Sequence, residues 1–435
     1  MIISNVKFIN PVNETIERID MEISEGRVEA VRTAGSMTKD GTAQRGFRGF
    51  SESERIIDGR GLYMAPGFCD IHSHFRDPGY THKEDIASGA MAAKCGGYTD
   101  IILMANTNPV VDNTDTLSYV LNKGLTTGIH INTCASVTKG LKGEETVDFG
   151  LLHKRGAKGF TDDGIPIMDE EVLKRAMLEC KKLEVPISLH EEDKSLISEN
   201  GINSNIAESL FNLKGSPKEA EISMVKRDIE IAKETGCNLN IQHVSAKETV
   251  ELVREAHKAG FSNIYAEATP HHFSLTEEDV KKYGTNAKMN PPLRTNEDRL
   301  AIIEGIKDGT ISFIATDHAP HAKAEKEQEI TKAPSGIIGL ETAFPLAYEN
   351  LVMPGYIDLI KLVKLMSLEP RKLYNMPCPG ISIGDSADFV LFSTDEEWKY
   401  EETRSKSFNS PFRGKKLHGK VKFTICGGRI VYEDL

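Results

Sequence analysis

The chain has 435 residues, of which 39% are hydrophobic and 27% are charged, and its formal net charge is −12. This length accommodates a large α/β core together with an accessory module. The acidic balance argues against a nucleic-acid-binding protein, which needs clustered Lys and Arg. No apolar run approaches the roughly 18 residues of a membrane span, and the polar start MIISNVKFINPVNE is unlike a signal peptide. We therefore expect a cytoplasmic protein that binds neither nucleic acid nor membrane.

The chain contains seven cysteines, and no two of them form a Cys-x-x-Cys pair. An odd number without close pairing is typical of reduced thiols rather than of a disulfide framework. The cysteine pattern therefore favours a reducing compartment, which agrees with the expected cytoplasmic location.

Both ends of the chain have the character of short β-strands. Apolar runs such as Ile2-Ile3 alternate with Gly and Asn within residues 1–60, and this pattern predicts antiparallel strands. Segment 36–52 is polar, rich in Gly and without periodicity, so we expect a mobile surface loop there. The runs Ala387–Phe392 and Val421–Ile425 repeat the strand character near the other end. We predict that residues 1–61 and 376–435 together form one accessory β-sandwich.

The middle of the chain has a different rhythm, in which β-prone runs alternate with helical stretches. Helical periodicity predicts four long helices, at Glu170–Leu183, Glu219–Thr235, Ala246–Ala259 and Asn296–Asp308. The β-prone runs number eight: Gly67–His72, Thr99–Met104, Ile129–Cys134, Ala157–Thr161, Pro186–His190, Leu239–Val244, Asn263–Ala268 and Ile311–Asp317. Eight such units predict an α/β fold in which residues 62–375 form a parallel (β/α)8, TIM-like barrel. A doubly wound open sheet is the alternative, but no Gly-x-Gly-x-x-Gly fingerprint supports it.

The motif GFCDIHSHFRDPG, at residues 67–79, carries the strongest local signal. Because side chains alternate along a strand, His72 and His74 point to the same side of the first predicted barrel strand. Two imidazoles on one face can bind one metal ion. The alternative without a function is that both histidines are solvated in a turn. A His-x-His pair without further metal-compatible residues would favour that alternative.

Further metal-compatible side chains stand at the ends of later predicted strands. They are Asp162 and Asp163 at the fourth strand, His190 at the fifth, His243 at the sixth and Asp317 at the eighth. The C-terminal ends of barrel strands line the active-site mouth, so this recurrence favours convergence over a series of unrelated helix caps. Four His and two Asp suit a borderline divalent ion, zinc in particular. A bridging carboxylate would let the set hold two ions.

These features resemble the amidohydrolase superfamily and, within it, the bacterial class I dihydroorotases. The motifs that carry the resemblance are GFCDIHSHFRDPG, MANTNPVVDN, GFTDDG, QHVSA, NPPLR, ATDHAPH, GIIGLETAFPL and NSPFRGKKLHGKV. The resemblance spans nearly the whole chain except the segment around 36–52. The sequence departs from the usual family pattern at two places. Ala105 stands where Pro is common, and the residues from Glu267 to Pro270 differ slightly from the usual ones. Neither departure removes a ligand.

The resemblance implies one or two Zn²⁺ ions per subunit. Asp163 would bridge two ions, where other branches of the superfamily use a carbamylated Lys. The ligands implied are His72, His74, Asp163, His190, His243 and Asp317.

The activity that the resemblance implies is the reversible cyclisation of N-carbamoyl-L-aspartate to (S)-dihydroorotate with loss of water. This is the third step of de novo pyrimidine (UMP) biosynthesis, and a homodimer is the expected assembly. In the hydrolytic direction a metal-activated hydroxide would attack the ring amide, with Asp317 as general acid and base. Contacts to the small-molecule substrate are expected at His74, Arg76, Asn106, Asn290, His321, Ser335 and Gly336.

Arg76 is the most informative of the expected substrate contacts. A guanidinium two residues beyond a metal-binding histidine makes little structural sense unless it meets an anion. Asn106 and Asn290 have an alternative interpretation as turn-forming residues. The polar and charged segment 321–336 has the character of a mobile lid.

Two other functions fit parts of the pattern. A hydantoinase or allantoinase would share the barrel and the metals, but such relatives usually lack the Arg at position 76. A non-catalytic scaffold for another enzyme is the second alternative, and such proteins typically lose metal ligands.

Overall fold

The computed structural model of the chain describes residues 1–34 and 55–434. The mobile loop predicted at residues 36–52 lies outside the described residues. Within them the seven cysteines are all free, as the sequence predicts. None of the described helices is both long enough and apolar enough to cross a bilayer.

The described residues contain fifteen β-strands, numbered along the chain. They are β1 (Ile2–Asn10), β2 (Thr15–Ser24), β3 (Arg27–Thr33), β4 (Ile56–Asp58), β5 (Tyr63–Pro66), β6 (Phe68–Ser73), β7 (Tyr98–Leu103), β8 (His130–Thr133), β9 (Ile187–Leu189), β10 (Leu239–Ile241), β11 (Ile264–Ala268), β12 (Phe313–Ile314), β13 (Phe389–Lys399), β14 (Lys416–Cys426) and β15 (Arg429–Glu433).

The α-helices of the described residues are numbered in the same way. They are α1 (Ile86–Cys95), α2 (Thr114–Gly124), α3 (Phe149–Lys154), α4 (Glu170–Leu183), α5 (Ser204–Phe211), α6 (Glu219–Thr235), α7 (Lys247–Lys258), α8 (Pro270–Ser274), α9 (Val280–Tyr283), α10 (Asn296–Asp308), α11 (Lys323–Lys326), α12 (Ala343–Ala347), α13 (Leu359–Val363) and α14 (Glu369–Leu373). Short 3₁₀ turns occur at Lys139–Leu141, Glu277–Asp279 and Gly284–Ala287, and π-helical turns at Tyr348–Val352 and Lys364–Leu368.

The predicted barrel is confirmed. Strands β6, β7 and β8 form one parallel sheet, and β9 to β12 form another. Phe160 joins the two sheets through parallel bridges to Ala135 and Ile187, and so supplies the fourth strand position. A parallel bridge between Ser73 and His318 closes the ring.

Local sequence signals account for the helices around the barrel. In α4 the side chain of Asp169 accepts hydrogen bonds from the first-turn backbone, which satisfies amides that have no helical partner. The same helix buries an apolar stripe that includes Leu173 and Met177, as its periodicity predicts. The four long helices predicted from the sequence correspond to α4, α6, α7 and α10 within one residue at each end.

Both termini contribute to one accessory sheet, as predicted. The sheet is mixed rather than purely antiparallel, because β1 pairs in parallel with β4 and β5. Its strand order is β15-β14-β13-β5-β1-β2-β3, with β4 beside β1. The sheet has its own apolar core, in which Phe8, Met21 and Phe389 are buried. Strand β5 joins the N-terminal and C-terminal parts, because it pairs with β1 on one side and β13 on the other. The domain boundaries near residues 62 and 376 stay a prediction.

A buried carboxylate fixes the seam between the first and last barrel strands. Asp70 accepts hydrogen bonds from Thr316 N at 2.9 Å and Thr316 Oγ1 at 2.6 Å, and one from the hydroxyl of Ser73. His72 lies two residues after Asp70, and Asp317 directly follows Thr316. The seam therefore sets the separation of two predicted metal ligands.

Candidate metal centre

The six predicted metal ligands lie together at the carboxyl ends of the barrel strands. All six side chains are buried, and none is more than 6% exposed. Three groups of their ligand atoms lie within 4.8 Å of one another. These groups are His72 with His74 and Asp163, His72 with His243 and Asp317, and Asp163 with His190 and His243.

His72 in β6 and His74, which directly follows this strand, face two carboxylates. His74 Nε2 lies 3.0 Å from Asp317 Oδ1 and 3.5 Å from Asp163 Oδ2. His72 Nε2 lies 3.4 Å from Asp163 Oδ1 and 3.5 Å from Asp317 Oδ1. Two imidazoles therefore point their ring nitrogens at the same pair of carboxylates.

The other two histidines approach Asp163 from the opposite side of the barrel. His190 Nδ1 lies 3.0 Å from His243 Nε2. Both atoms belong to the group that includes an oxygen of Asp163. Asp163 thus lies between two histidine pairs, which is the position of a carboxylate shared by two metal ions.

Three residues at this end of the barrel have backbone conformations that L-amino acids rarely adopt. The φ angle is 57° at Arg76, 32° at His243 and 43° at Asp317. Such backbone costs free energy and is typical of functional sites, where the surrounding structure holds it in place.

The residues present fit a divalent cation. His72 Nε2 is buried and has no hydrogen-bond partner among the described residues, although an unpaired buried polar atom is costly. Several imidazole nitrogens and carboxylate oxygens point at one another, and a cation between them would satisfy these lone pairs. Imidazole and carboxylate donors suit a borderline ion.

The electrostatics of the cluster also favour ionised carboxylates. Burial opposes ionisation of Asp163, but the neighbouring His74, His72 and His190 outweigh it and lower its pKa. At His243, burial and the positive charges of His190 and His72 hold the pKa well below its usual value. Burial opposes protonation of His72 and His190, but Glu267 and Glu192 outweigh it and raise the pKa of these two imidazoles. Metal binding would therefore displace protons from them, because imidazole binds a metal in its neutral form.

Two carboxylates that the sequence analysis did not single out, Glu267 and Glu192, lie behind the ligand histidines. His72 donates its Nδ1 hydrogen to Glu267, which also accepts a hydrogen bond from the backbone of His243 at 3.2 Å. Glu192 Oε2 lies 3.0 Å from His190 Nε2. Such partners fix the orientation of a ligating imidazole. The sequence does mark Glu267 as unusual, because it is an acidic residue inside the apolar run Ile264–Ala268.

A cavity of about 360 Å³ opens above the cluster. It is lined by five of the six predicted ligands, with His72 beneath them, and by all six other predicted substrate contacts. Asn106 is oriented toward the ligands, because its Nδ2 donates to Asp163 Oδ2 at 2.8 Å and its Oδ1 lies 3.0 Å from His74 Nδ1. Asn290 Oδ1 is buried without a hydrogen-bond partner among the described residues.

The far wall of the cavity consists of His321 and the segment that includes Gly336. His321 Nε2 lies 2.8 Å from Ser335 O and 3.5 Å from Arg76 Nη2. Burial and the charge of Arg76 lower the pKa of His321, which therefore stays neutral. Gly336 has a φ of 152°, and a Cβ there would lie 2.6 Å from Ala319 O. The wall requires glycine at this position.

Comparisons with known proteins agree with this architecture. Residues 61–249 match a family model described as Dihydro-orotase-like. The chain is 49% identical over 432 residues to a dihydroorotase of Clostridioides difficile (strain 630), covering 99% of both chains. It is 49% identical over 388 residues to a dihydroorotase of Clostridium acetobutylicum, covering 89% of this chain and 91% of that protein.

Solved structures show the same fold at lower identity. An L-hydantoinase (dihydropyrimidinase) from Arthrobacter aurescens superposes with a TM-score of 0.85 at 24% identity, covering 99% of this chain and 96% of that one. A D-hydantoinase superposes with a TM-score of 0.82 at 21% identity, covering 100% and 95%. These similarities confirm the barrel with its terminal β-sandwich and bear on the fold alone.

Taken together, the fold and the histidine–aspartate cluster define a metal-dependent enzyme of the amidohydrolase class. Within that class, the 49% identity to the Clostridioides difficile dihydroorotase, over 99% of both chains, shows the family. The chain belongs to the dihydroorotases.

Replacement of the carboxylate behind His72 tests the metal centre. We expect Glu267→Gln to weaken metal binding by about 10- to 100-fold, because the amide is a poorer acceptor for the Nδ1 hydrogen of His72. Competition with a chromophoric chelator measures the affinity. The control is Glu277→Gln, a buried glutamate that bonds Asn203 instead. Equal metal affinity in Glu267→Gln and the unmodified protein would contradict the assigned role.

Proposed function

We propose that this chain catalyses the reversible conversion of N-carbamoyl-L-aspartate to (S)-dihydroorotate and water, the third step of de novo pyrimidine (UMP) biosynthesis. Membership of the dihydroorotase family supports the reaction. The observation that carries it for this chain is the shared cavity, in which Arg76, Asp163 and three of the four ligand histidines line one space. A guanidinium beside such a cluster is suited to a substrate that combines a carboxylate with a cyclic amide.

We also propose which residues hold the metal ions. One Zn²⁺ would be held by His72, His74 and Asp317, and a second by His190 and His243, with Asp163 bridging both. When bound, the ions would polarise the scissile carbonyl and lower the pKa of a water molecule. The burial of all six side chains supports this assignment, because exclusion of bulk water strengthens charge interactions at the site.

Asp317 is the proposed proton-transfer residue. Its Oδ1 lies 3.0 Å from His74 Nε2, which fixes the carboxylate at the edge of the cavity. In hydrolysis Asp317 takes a proton from the attacking water and passes it to the ring nitrogen as the C–N bond breaks. In ring closure it takes a proton from the carbamoyl nitrogen and passes it to the departing oxygen. Closure converts a carboxylate to an amide, so it consumes one further proton from solvent.

Arg76 and the asparagines would orient the substrate. Arg76 donates through Nε to Pro320 O at 3.3 Å, which leaves the end of the guanidinium facing the cavity. We assign to it the substrate carboxylate that does not react, together with Asn106. Asn290 offers an unpaired amide oxygen to a substrate N–H. His321, Ser335 and Gly336 would close the opposite side, and fixed contacts of this kind convert binding into orientation.

Assembly and location remain predictions. A homodimer and a cytoplasmic location are what the family resemblance leads us to expect. Hydrolysis of hydantoins or dihydropyrimidines is the second candidate function, because a metal centre of histidines and carboxylates at the mouth of a barrel can also activate water against other cyclic amides.

A direct assay tests the proposed function. We expect the purified chain to hydrolyse dihydroorotate, to lose this activity on chelation and to regain it with Zn²⁺, because water activation requires the ion. Ultraviolet absorbance follows the reaction, with dihydrouracil and allantoin as comparison substrates. Faster turnover of dihydrouracil or allantoin would support the second candidate, and inactivity on all three would support a scaffold.

The role of Arg76 is tested by truncation. We expect Arg76→Ala to raise KM for dihydroorotate by about 10- to 100-fold, because a charge-assisted contact contributes about 1.5–3 kcal/mol. The metal content should not change, and elemental analysis checks this. The matched control is Arg60→Ala, which removes an exposed arginine paired with Asp58. A normal KM together with lost metal would show that Arg76 supports the metal site instead.

A further inference from the structure

A segment near the end of the chain packs against the loops that follow the first and last barrel strands. Residues 405–412, called here the C-terminal strap, precede β14 and include Asn409–Phe412, the start of the motif NSPFRGKKLHGKV. Ser407 Oγ donates to Lys83 O at 2.7 Å, and the backbone of Lys406 donates to Glu84 Oε1 at 3.2 Å. Further along, Ile338 N donates to Asn409 O at 3.0 Å. The strap therefore connects the loop after β6 with the segments that follow β12.

Asn409 is the residue of the strap that reaches the cavity wall. Its Nδ2 donates to Ala319 O and to Gly336 O, each at 2.9 Å. Its Oδ1 accepts a hydrogen bond from His321 N at 3.0 Å. The side chain is 2% exposed. Both amide hydrogens and the amide oxygen are thus engaged with backbone groups, which a buried amide needs for stability.

The three partners of Asn409 all line the cavity above the metal ligands. Ala319, His321 and Gly336 are cavity residues, whereas Asn409 is not. Two of them, His321 and Gly336, are proposed substrate contacts. Asn409 therefore holds the backbone of the substrate wall from behind, without access to the substrate itself.

We propose that Asn409 is a positioning residue that sets the spacing between His321 and the Ser335-Gly336 backbone. This inference rests on the proposed function, because it takes these residues as substrate contacts. An amide is required, since the site needs two donated hydrogens and one acceptor from one short side chain. Aspartate has the same shape, but the oxygen that replaces Nδ2 would face the carbonyl oxygens of Ala319 and Gly336.

The wall has other supports, so loss of Asn409 should shift it without unfolding it. Ala319 N donates to Ile337 O at 3.0 Å, and Lys326 Nζ donates to Gly336 O at 3.2 Å and to Pro334 O at 2.8 Å. These bonds keep the two segments paired. Displacement of a contact residue by a fraction of an ångström is enough to weaken substrate orientation.

The test is Asn409→Asp with Asn263→Asp as the matched control. Asn263 also donates its Nδ2 hydrogens to two carbonyl oxygens, Ala232 O at 3.1 Å and Cys237 O at 2.7 Å. It immediately precedes β11, at the end of the strand opposite to the cavity. We expect Asn409→Asp to raise KM for both substrates on the order of tenfold, with a smaller change in kcat and full metal content. Asn263→Asp should lower the melting temperature to a similar extent but leave KM unchanged.

Hydrogen–deuterium exchange provides a readout that needs no turnover. Peptides covering 319–322 and 334–337 should exchange faster in Asn409→Asp than in the unmodified protein, and they should be unchanged in Asn263→Asp. If Asn409→Asp does not fold, Asn409→Ser takes its place with the same expected pattern. A KM within twofold of the unmodified enzyme and unchanged exchange would overturn the proposal. Absence of dihydroorotase activity in the unmodified protein would refute the proposed function, while the exchange data would still decide the role of Asn409.

Discussion

The position of the Asp163 carboxylate between two pairs of histidines is the constraint on which the rest of the site depends. His72 and His74 approach it from one side, and it shares a group of ligand atoms with His190 and His243 on the other. Buried charge of this density is stable only when opposite charges meet it. A metal centre is the arrangement that satisfies these groups together, and the barrel mouth is the place where strands distant in sequence can supply them.

The scaffold around the cluster is built to hold this arrangement. Asp70 joins the first and last strands directly behind His72 and Asp317. Glu267 and Glu192 bond the outer nitrogens of two histidines and so fix their ring orientations. The strain at His243 and Asp317, whose φ angles are positive, is tolerated because surrounding contacts determine the local backbone. The strap from the C-terminal sheet extends the same support to the substrate side.

Much of this architecture could be predicted from the sequence, for identifiable reasons. The period-two spacing of His72 and His74 and the recurrence of ligands at strand ends follow from barrel geometry, so their convergence was predictable. The role of Glu267 was missed because an acidic residue in a strand does not reveal which imidazole it will meet. The contacts of Asn409 could not be predicted from the sequence, because its three partners lie at least 73 residues away in the chain. The fourth barrel strand was predicted as a five-residue run, whereas the backbone pairs there through Phe160.

The most direct test of the account is X-ray diffraction from crystals of the Zn²⁺-loaded protein, with data collected on both sides of the zinc absorption edge. The account predicts two anomalous peaks on either side of the Asp163 carboxylate, one beside His72 and His74 and one beside His190 and His243. Anomalous peaks bound by other residues, or an Asp163 carboxylate that contacts no ion at full zinc loading, would contradict it.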